Sequence, residues 1–245
     1  MAFIPRIYVA SGDISQGVAR VGGSDKNHII NVLRKTVGDK VTVCDMHSNA
    51  YEAVITAVSE DEISLLLGEP KHESNELPFP VTVYQCLPKG EKTDAVIQKS
   101  VELGASAIVL VISERCVARP DAKSFEKKLE RYRRISESAA AQCGRSFVPE
   151  VSGLTTYSEA IKAIAEAENG FVCYEGDGTV PVRGLIERQG GIAFMIGPEG
   201  GFSAGEVKQA AAAGIPLANL GKRILRTETA ALYVLSAVSV LKEFQ

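Results

Sequence analysis

The chain has 245 residues, 27 Lys and Arg against 30 Asp and Glu, a net charge of −3 and 45% hydrophobic residues. That length accommodates one large domain or two smaller ones around a real core, and the mild acidity does not announce a nucleic-acid partner. Apolar runs stay short of the roughly 18 residues that span a bilayer, and the N-terminal Met1-Ala2-Phe3-Ile4-Pro5-Arg6 lacks the basic-then-apolar layout of a signal peptide, so a cytoplasmic protein is expected.

The first seventy residues read as short, β-branched strands: Arg6–Val9, Lys40–Cys44, Tyr51–Ile55 and Glu62–Leu66. One helix is expected among them, capped by Ser24 and burying Ile29, Ile30, Val32 and Leu33. This predicts a small β-barrel domain over 1–70. The polar, Pro-bounded stretch Gly68–Pro78 reads as the linker.

From 71 to 245 the pattern changes. Apolar strands are predicted at Val81–Leu87, Ala107–Ile112, Phe171–Glu175, Gly191–Gly197 and Ile215–Leu220. They alternate with helices: one ending at Gly104, then Ser124–Cys143, Tyr157–Glu168, Ser203–Ala213 and Thr227–Phe244. Buried strands alternating with amphipathic helices indicate an α/β domain with a mostly parallel sheet covered on both faces.

Five cysteines, Cys44, Cys86, Cys116, Cys143 and Cys173, are scattered and form no C-x-x-C. Neither a zinc site nor a disulfide framework is indicated. His28, His47 and His72 all lie in the first third, so a histidine-based nucleophilic arrangement is absent from the larger part. Chemistry there must use carboxylates, Arg, Lys, backbone donors or a cofactor. Arg115 to Arg145 carries nine Lys and Arg against four acids. Lys127, Arg131 and Arg134 line one stripe of that helix, a pattern compatible with a solvated face and with a phosphate-contacting ridge.

Two familiar cofactor loops fail. Gly176-Asp177-Gly178-Thr179-Val180-Pro181 ends on proline where a dinucleotide fingerprint needs glycine, and Gly214–Lys222 has the wrong spacing for a phosphate loop. What remains is Ile196-Gly197-Pro198-Glu199-Gly200-Gly201-Phe202-Ser203, an apolar strand entering a glycine turn. Ser203-Ala204-Gly205-Glu206 then reads as a capping box. The turn is compatible with a bare tight turn and with a place where backbone meets a ligand. A second junction, Leu220-Gly221-Lys222-Arg223-Ile224-Leu225-Arg226-Thr227-Glu228-Thr229-Ala230, follows. Thr227 is its predicted N-cap, and Arg226 and Glu228 are either surface and capping groups or functional ones. Ligands of open α/β sheets bind at carboxyl strand ends, so these two junctions and Tyr174-Glu175-Gly176 are expected to share one pocket.

Taken together, Ile196–Ser203 and Leu220–Ala230 closely resemble the RsmE family of SPOUT methyltransferases, which make N3-methyluridine in small-subunit ribosomal RNA. Leu87-Pro88-Lys89-Gly90-Glu91-Lys92, Gln98–Gly104, Glu114-Arg115-Cys116, Ala140–Arg145 and His28–Arg34 fit the same family. The resemblance implies a trefoil-knotted C-terminal domain, a PUA-like RNA-binding barrel at the N-terminus, and a homodimer acting on 16S rRNA or the assembled small subunit. It also implies S-adenosyl-L-methionine held by Tyr174, Glu175, Ile196, Gly197, Pro198, Glu199, Gly200, Gly201, Leu220, Gly221, Ile224, Leu225, Arg226 and Thr227.

Methyl transfer is an in-line displacement that depends on alignment, and no metal is suggested. Uracil N3 must lose its proton, so a guanidinium near the flanking carbonyls suits the developing charge; Arg226 is the candidate. Glu199, Glu228 or solvent would accept the proton. Arg6, Arg34, Lys89, Arg115 and Arg145 are the candidate RNA contacts. Competing readings are methylation of another RNA base, a non-catalytic RNA-binding protein, and a nucleotide-dependent α/β enzyme, the last disfavoured by the failed fingerprints.

Overall fold

The computed structural model describes residues 4–47, 49–72 and 75–243. They form two compact units, Met1–Glu76 with Ala140–Val148, and Leu77–Ala139 with Pro149–Gln245. Residues Met1 to Phe3, the linker residues Glu73 and Ser74, and the predicted helix end Phe244 lie outside the described residues.

The first unit is a curled six-stranded sheet of β1 (Arg6–Tyr8), β2 (Ile14–Ser15), β3 (Val18–Gly22), β4 (Lys40–Cys44), β5 (Asn49–Val58) and β6 (Glu62–His72). The strand order is β1-β4-β5-β6-β3-β2. β1 and β4 run parallel, and the remaining neighbours are antiparallel. Alternation along the strands puts Ile7, Val21, Val41, Val43, Ala53, Ile55, Ile63 and Leu65 into one buried cluster.

Two local expectations are corrected. The helix α1 (Gly23–Asn27) is capped by Gly22 rather than Ser24, whose hydroxyl reaches the Asp25 carboxylate instead. It continues as a π-turn, His28–Val32, in which Ile29 alone is buried and Val32 is exposed. The wider turn breaks the 3.6-residue spacing on which the expected apolar face rested. The supposed linker begins as strand: Gly68–His72 completes β6, with Tyr51 opposite Pro70. β3 pairs only as far as Leu66, so Pro70 sits where β6 has become an edge and its missing N–H is tolerated.

Arg145 fixes the Ala140–Val148 segment within this unit. Its side chain is 4% exposed and its guanidinium donates to Glu76 at 2.9 and 2.5 Å. Tyr8 Oη donates to the Arg145 carbonyl at 2.9 Å, and burial pushes the Tyr8 phenol above its ordinary pKa, keeping it a donor. The Arg145 guanidinium also lies 4.7 Å from the Phe147 ring centroid.

The second unit is a seven-stranded parallel sheet. Its strands are β7 (Val81–Cys86), β8 (Ala107–Ile112), β9 (Glu150–Thr156), β10 (Asn169–Cys173), β11 (Val180–Pro181), β12 (Ile192–Ile196) and β13 (Leu217–Asn219). The order is β11-β13-β10-β12-β7-β8-β9. Helices α2 (Lys92–Glu102), α3 (Ala122–Cys143, whose last turn belongs to the first unit), α4 (Tyr157–Glu166), α5 (Arg183–Ile186), α6 (Ala204–Ala212) and α7 (Thr227–Lys242) connect them. The chain builds outward from β7 through β8 to β9, then returns to the other side of β7. That reversal puts β12 beside β7 and creates the crevice at which ligands of parallel sheets bind. At the sheet centre Phe171 of β10 and Phe194 of β12 are opposite in register, fully buried and stacked at 5.6 Å. The pair aligns the two strands whose ends carry Tyr174 and Gly197. Strands β9 and β11 and helix α5 carry no clear apolar periodicity and were not expected.

Arg145→Met leaves Glu76 as an unpaired, mostly buried carboxylate. It is expected to lower the unfolding free energy by about 3 kcal/mol in urea denaturation. A loss nearer the ~0.5 kcal/mol of an exposed pair would remove this bridge as the anchor of the segment.

Candidate functional site

One cavity of about 440 Å³ opens at the carboxyl ends of β10, β12 and β13. The three junctions expected to meet do meet there: Tyr174 and Glu175 follow β10, Ile196 ends β12 with Gly197–Glu199 and Gly201 after it, and Leu220, Gly221 and Ile224–Thr227 follow β13. Gly200 is not among the lining residues, and a Cβ there would meet Arg115 at 3.3 Å. Glu228 is not among them either.

The glycine turn is built from the inside. A side chain at Gly197 would meet the Phe202 ring at 3.1 Å, so glycine lets Phe202 fold back under the turn, where it also packs on Tyr157 at 5.6 Å. Gly201 has φ of +65°, and a Cβ there would come within 2.9 Å of Glu175 Oε1. Beyond it Ser203 and Glu206 form the predicted capping box around the start of α6. Glu206 does more than cap. Buried, it accepts from the Glu114 N–H at 2.7 Å and the Ser203 N–H at 2.9 Å. Arg115 in turn donates to the Gly200 carbonyl at 3.0 Å. The Glu114-Arg115 loop and the glycine turn therefore brace one another.

The α7 junction differs from expectation at one residue. Arg226 is the N-cap, and Thr227 is the first helical residue. The Thr227 hydroxyl donates to the Gly197 carbonyl at 2.7 Å and accepts from Gln85 Nε2 at 2.8 Å. A buried hydroxyl between the ends of β7 and β12 serves those groups better than a helix cap would. Arg226 is left exposed on the cavity wall.

Electrostatically the site is a mixture. Glu199 accepts from the Lys89 N–H at 3.1 Å and from the Lys92 ammonium at 2.9 Å. Burial alone would raise its pKa, but Lys92 and the backbone N–H groups of Glu199 and Lys89 outweigh that and hold it below the usual carboxylate range. Glu228 Oε2 is buried without a hydrogen bond and has Lys92 at 3.5 Å as its counter-charge. Lys222, Arg223 and Arg226 also line the cavity. No group of three or more His, Cys, Asp or Glu suited to a metal occurs among the described residues.

The sequence reading missed Lys92, Cys173, Phe202, Asn219 and Ala230 as cavity residues, and held Lys222 and Arg223 only as part of the second junction. Lys92 ends the family-like segment Leu87–Lys92, but its partners are 107 and 136 positions away. Of the RNA candidates, Lys89 is exposed and Arg115 spends its guanidinium on Gly200. In the first unit Arg34 is exposed at φ +53°. Arg6 is half-buried and donates to Cys44 Sγ, and Arg145 is committed to Glu76.

Comparison with known proteins decides the family. Residues 75–239 match the RNA methyltransferase domain model and residues 21–67 the RNA methyltransferase PUA domain model. The chain is 34% identical to ribosomal RNA small subunit methyltransferase E of Bacillus subtilis, over 91% of this chain and 90% of that one. The chain belongs to the RsmE family of RNA methyltransferases. The Neisseria gonorrhoeae ribosomal RNA small subunit methyltransferase E, solved bound to S-adenosyl methionine, superposes with a TM-score of 0.88 at 34% identity, over 99% of this chain and all of that one. A Legionella pneumophila protein solved with the cofactor SAM gives 0.86 at 29% identity over 97% of each chain. All cavity residues of this RsmE chain fall inside the matched methyltransferase domain.

Two glycine substitutions should separate with opposite signs. Gly201→Ala forces a side chain into a left-handed conformation and is expected to cost about 1–2 kcal/mol in chemical denaturation. Gly205→Ala, in the exposed first turn of α6 with only Ser203 Oγ at 3.6 Å, should instead gain up to ~0.5–1 kcal/mol. Equal effects would deny the turn its special backbone.

Proposed function

We propose that this chain methylates N3 of a specific uridine in 16S ribosomal RNA, free or in the small subunit, using S-adenosyl-L-methionine. The observation that carries the reading is the single cavity in which the glycine turn, the Tyr174 loop and the Arg226 loop converge. Its residues fit the cofactor. Gly197 and Gly201 line the cavity with bare backbone, tucked against Phe202 and Glu175. Ile196, Leu220, Ile224 and Leu225 supply apolar walls for a purine, while Glu175 and Asn219 offer polar groups. The volume lies within the ~300–1,000 Å³ of small-molecule sites.

When bound, S-adenosylmethionine supplies an activated methyl group on a sulfonium. The protein's own part is orientation and charge. Arg226 would stabilise negative charge on the uracil carbonyls as N3 loses its proton, a role supported by its exposure on the cavity wall. Glu199 is a weak base in this setting, because Lys92 and the Lys89 N–H already occupy it. Glu228 is set back from the cavity. Solvent at the cavity mouth is therefore the favoured proton acceptor.

RNA contact is assigned first to the exposed Lys89 and Arg34, with the PUA domain as the RNA-holding unit. Arg115, Arg6 and Arg145 act by shaping the surfaces around them. The knotted path is part of this reading through membership of the family, and the tie from Thr227 to Gln85 and Gly197 sets the start of α7 between two strand ends. A homodimer is supported by α7, whose outward stripe Thr229, Tyr233, Ser236 and Val240 exposes an aromatic and an aliphatic side chain. No helix among the described residues is long and apolar enough to cross a membrane.

Arg226→Ala is expected to keep S-adenosylhomocysteine affinity within about threefold while cutting single-turnover methylation at least about tenfold. Unchanged single-turnover rates would remove Arg226 from the chemistry. Reverse transcription of 16S rRNA from a deletion strain should lose one stop at a uridine. A stop lost at another base would redirect the substrate, and no binding of S-adenosylmethionine would favour a non-catalytic RNA-binding protein. Tyr233→Glu with Val240→Glu should shift the sedimentation coefficient to that of a monomer; an unaltered dimer would clear α7 of the interface.

A further inference from the structure

Lys92 opens α2, directly after the Leu87–Glu91 loop. Its ammonium lies 2.9 Å from Glu199 Oε1 and 3.5 Å from Glu228 Oε2, and its side chain is only one-third exposed. Three elements therefore meet at one cation: the glycine turn through Glu199, α7 through Glu228, and α2 itself. The same Glu199 carboxylate accepts the Lys89 N–H, so it bridges the glycine turn to the loop before α2. Glu228 Oε2, buried and without a hydrogen bond, would be a costly isolated charge if Lys92 were absent. Lys92 also lines the cavity.

We propose that Lys92 is a positioning residue, whose ammonium between Glu199 and Glu228 locks the Glu199 carboxylate onto the Lys89 backbone and so holds the glycine turn in its ligand-receiving shape. The proposal rests on the reading of the cavity as the S-adenosylmethionine site. The groups on Glu199 are Lys92 from α2 and the Lys89 N–H; Glu228 from α7 shares Lys92 with it, and Glu175, Lys222, Arg223 and Arg226 are the other charged groups of the cavity lining. Lys92 is itself held in its charged form above the usual lysine range, first by its hydrogen bond to Glu199 and then by the two carboxylate charges. It is a fixed cation and not a proton acceptor.

The sign of the pH effect follows. Glu199 has a lowered pKa, so its contribution is present above the ordinary carboxylate range and disappears as pH falls through the lower, folded value. Without Lys92 the burial that opposes ionisation is less compensated, and Glu199 should titrate at higher pH. The acid limb of ligand affinity then moves upward.

The test is calorimetric binding of S-adenosylhomocysteine between pH 4.5 and 9 to the full chain and to Lys92→Met and Lys92→Arg, with melting curves to confirm folding. Lys92→Met should bind about tenfold more weakly at pH 7, with its acid limb displaced to higher pH. Lys92→Arg should recover most of the affinity and the original limb, because charge and reach are kept. Binding by the unmutated chain with unchanged affinity and pH profile in Lys92→Met overturns the positioning role alone. Lys92→Arg as weak as Lys92→Met overturns it too. Failure of the unmutated chain to bind removes the cofactor reading and this proposal with it. Should Lys92→Met not fold, Lys92→Gln carries the same comparison, because it keeps a donor and loses only the charge.

Discussion

The Thr227 hydroxyl is the joint on which the site hangs. It donates to the Gly197 carbonyl and accepts from the Gln85 amide, so one buried oxygen ties the ends of β12 and β7 to the start of α7. Gln85 is fully buried, and a buried amide without a partner is costly. Gln85 Nε2 donates to both Thr227 and the Cys86 carbonyl, while its buried Oε1 has no hydrogen-bond partner; the two donations fix its orientation and, through it, the position of α7. The Arg226 loop must then end where Thr227 begins, against the mouth of the cavity. Valine at 227 would preserve the shape and lose both hydrogen bonds, leaving the loop without its reference point.

Around this joint the charges are arranged by function of place rather than by total. The chain is acidic overall, yet Lys222, Arg223 and Arg226 line the cavity, while Glu199 and Glu228 share one ammonium between them. Exposed ion pairs contribute little to stability. Here the same kind of pair gains weight because its members belong to separate segments, so the pairing decides loop geometry. Glu206 repeats the device on the other flank. Its carboxylate caps α6 and receives the Glu114 N–H, and the adjacent Arg115 closes the circuit on Gly200. The glycine turn has little side-chain substance of its own and is held from both sides by carboxylates and cations of neighbouring loops.

Much of this architecture was legible in the sequence where local patterning and local chemistry coincide. The strands at Lys40–Cys44 and Ala107–Ile112 and the Ser203–Glu206 capping box depend on neighbours within a few residues, and they stand as expected. The convergence of three strand ends was legible because parallel α/β sheets place their ligands there. What escaped was set at a distance. Ser24 has cap chemistry but loses the role to Gly22. Gly68–His72 has linker composition but is claimed by pairing with β5. Thr227 has cap chemistry as well, yet Gln85, 142 positions away, takes its hydroxyl.

The arginines show the same limit from the side of function. Residue type alone makes Arg34, Arg115 and Arg145 equivalent phosphate ligands. The fold separates them by what else can use a guanidinium. Arg145 meets a carboxylate, an aromatic face and almost no water, so it becomes a core bridge. Arg115 meets the carbonyl of Gly200, and its exposed guanidinium is spent on the turn. Arg34 stays exposed. A cation already paid for by an internal partner gives RNA little new energy, because binding would have to replace that partner first. The basic segment between Arg115 and Arg145 thus serves the protein's own loops at both of its ends, and its electrostatic reach toward RNA depends on the side chains between them.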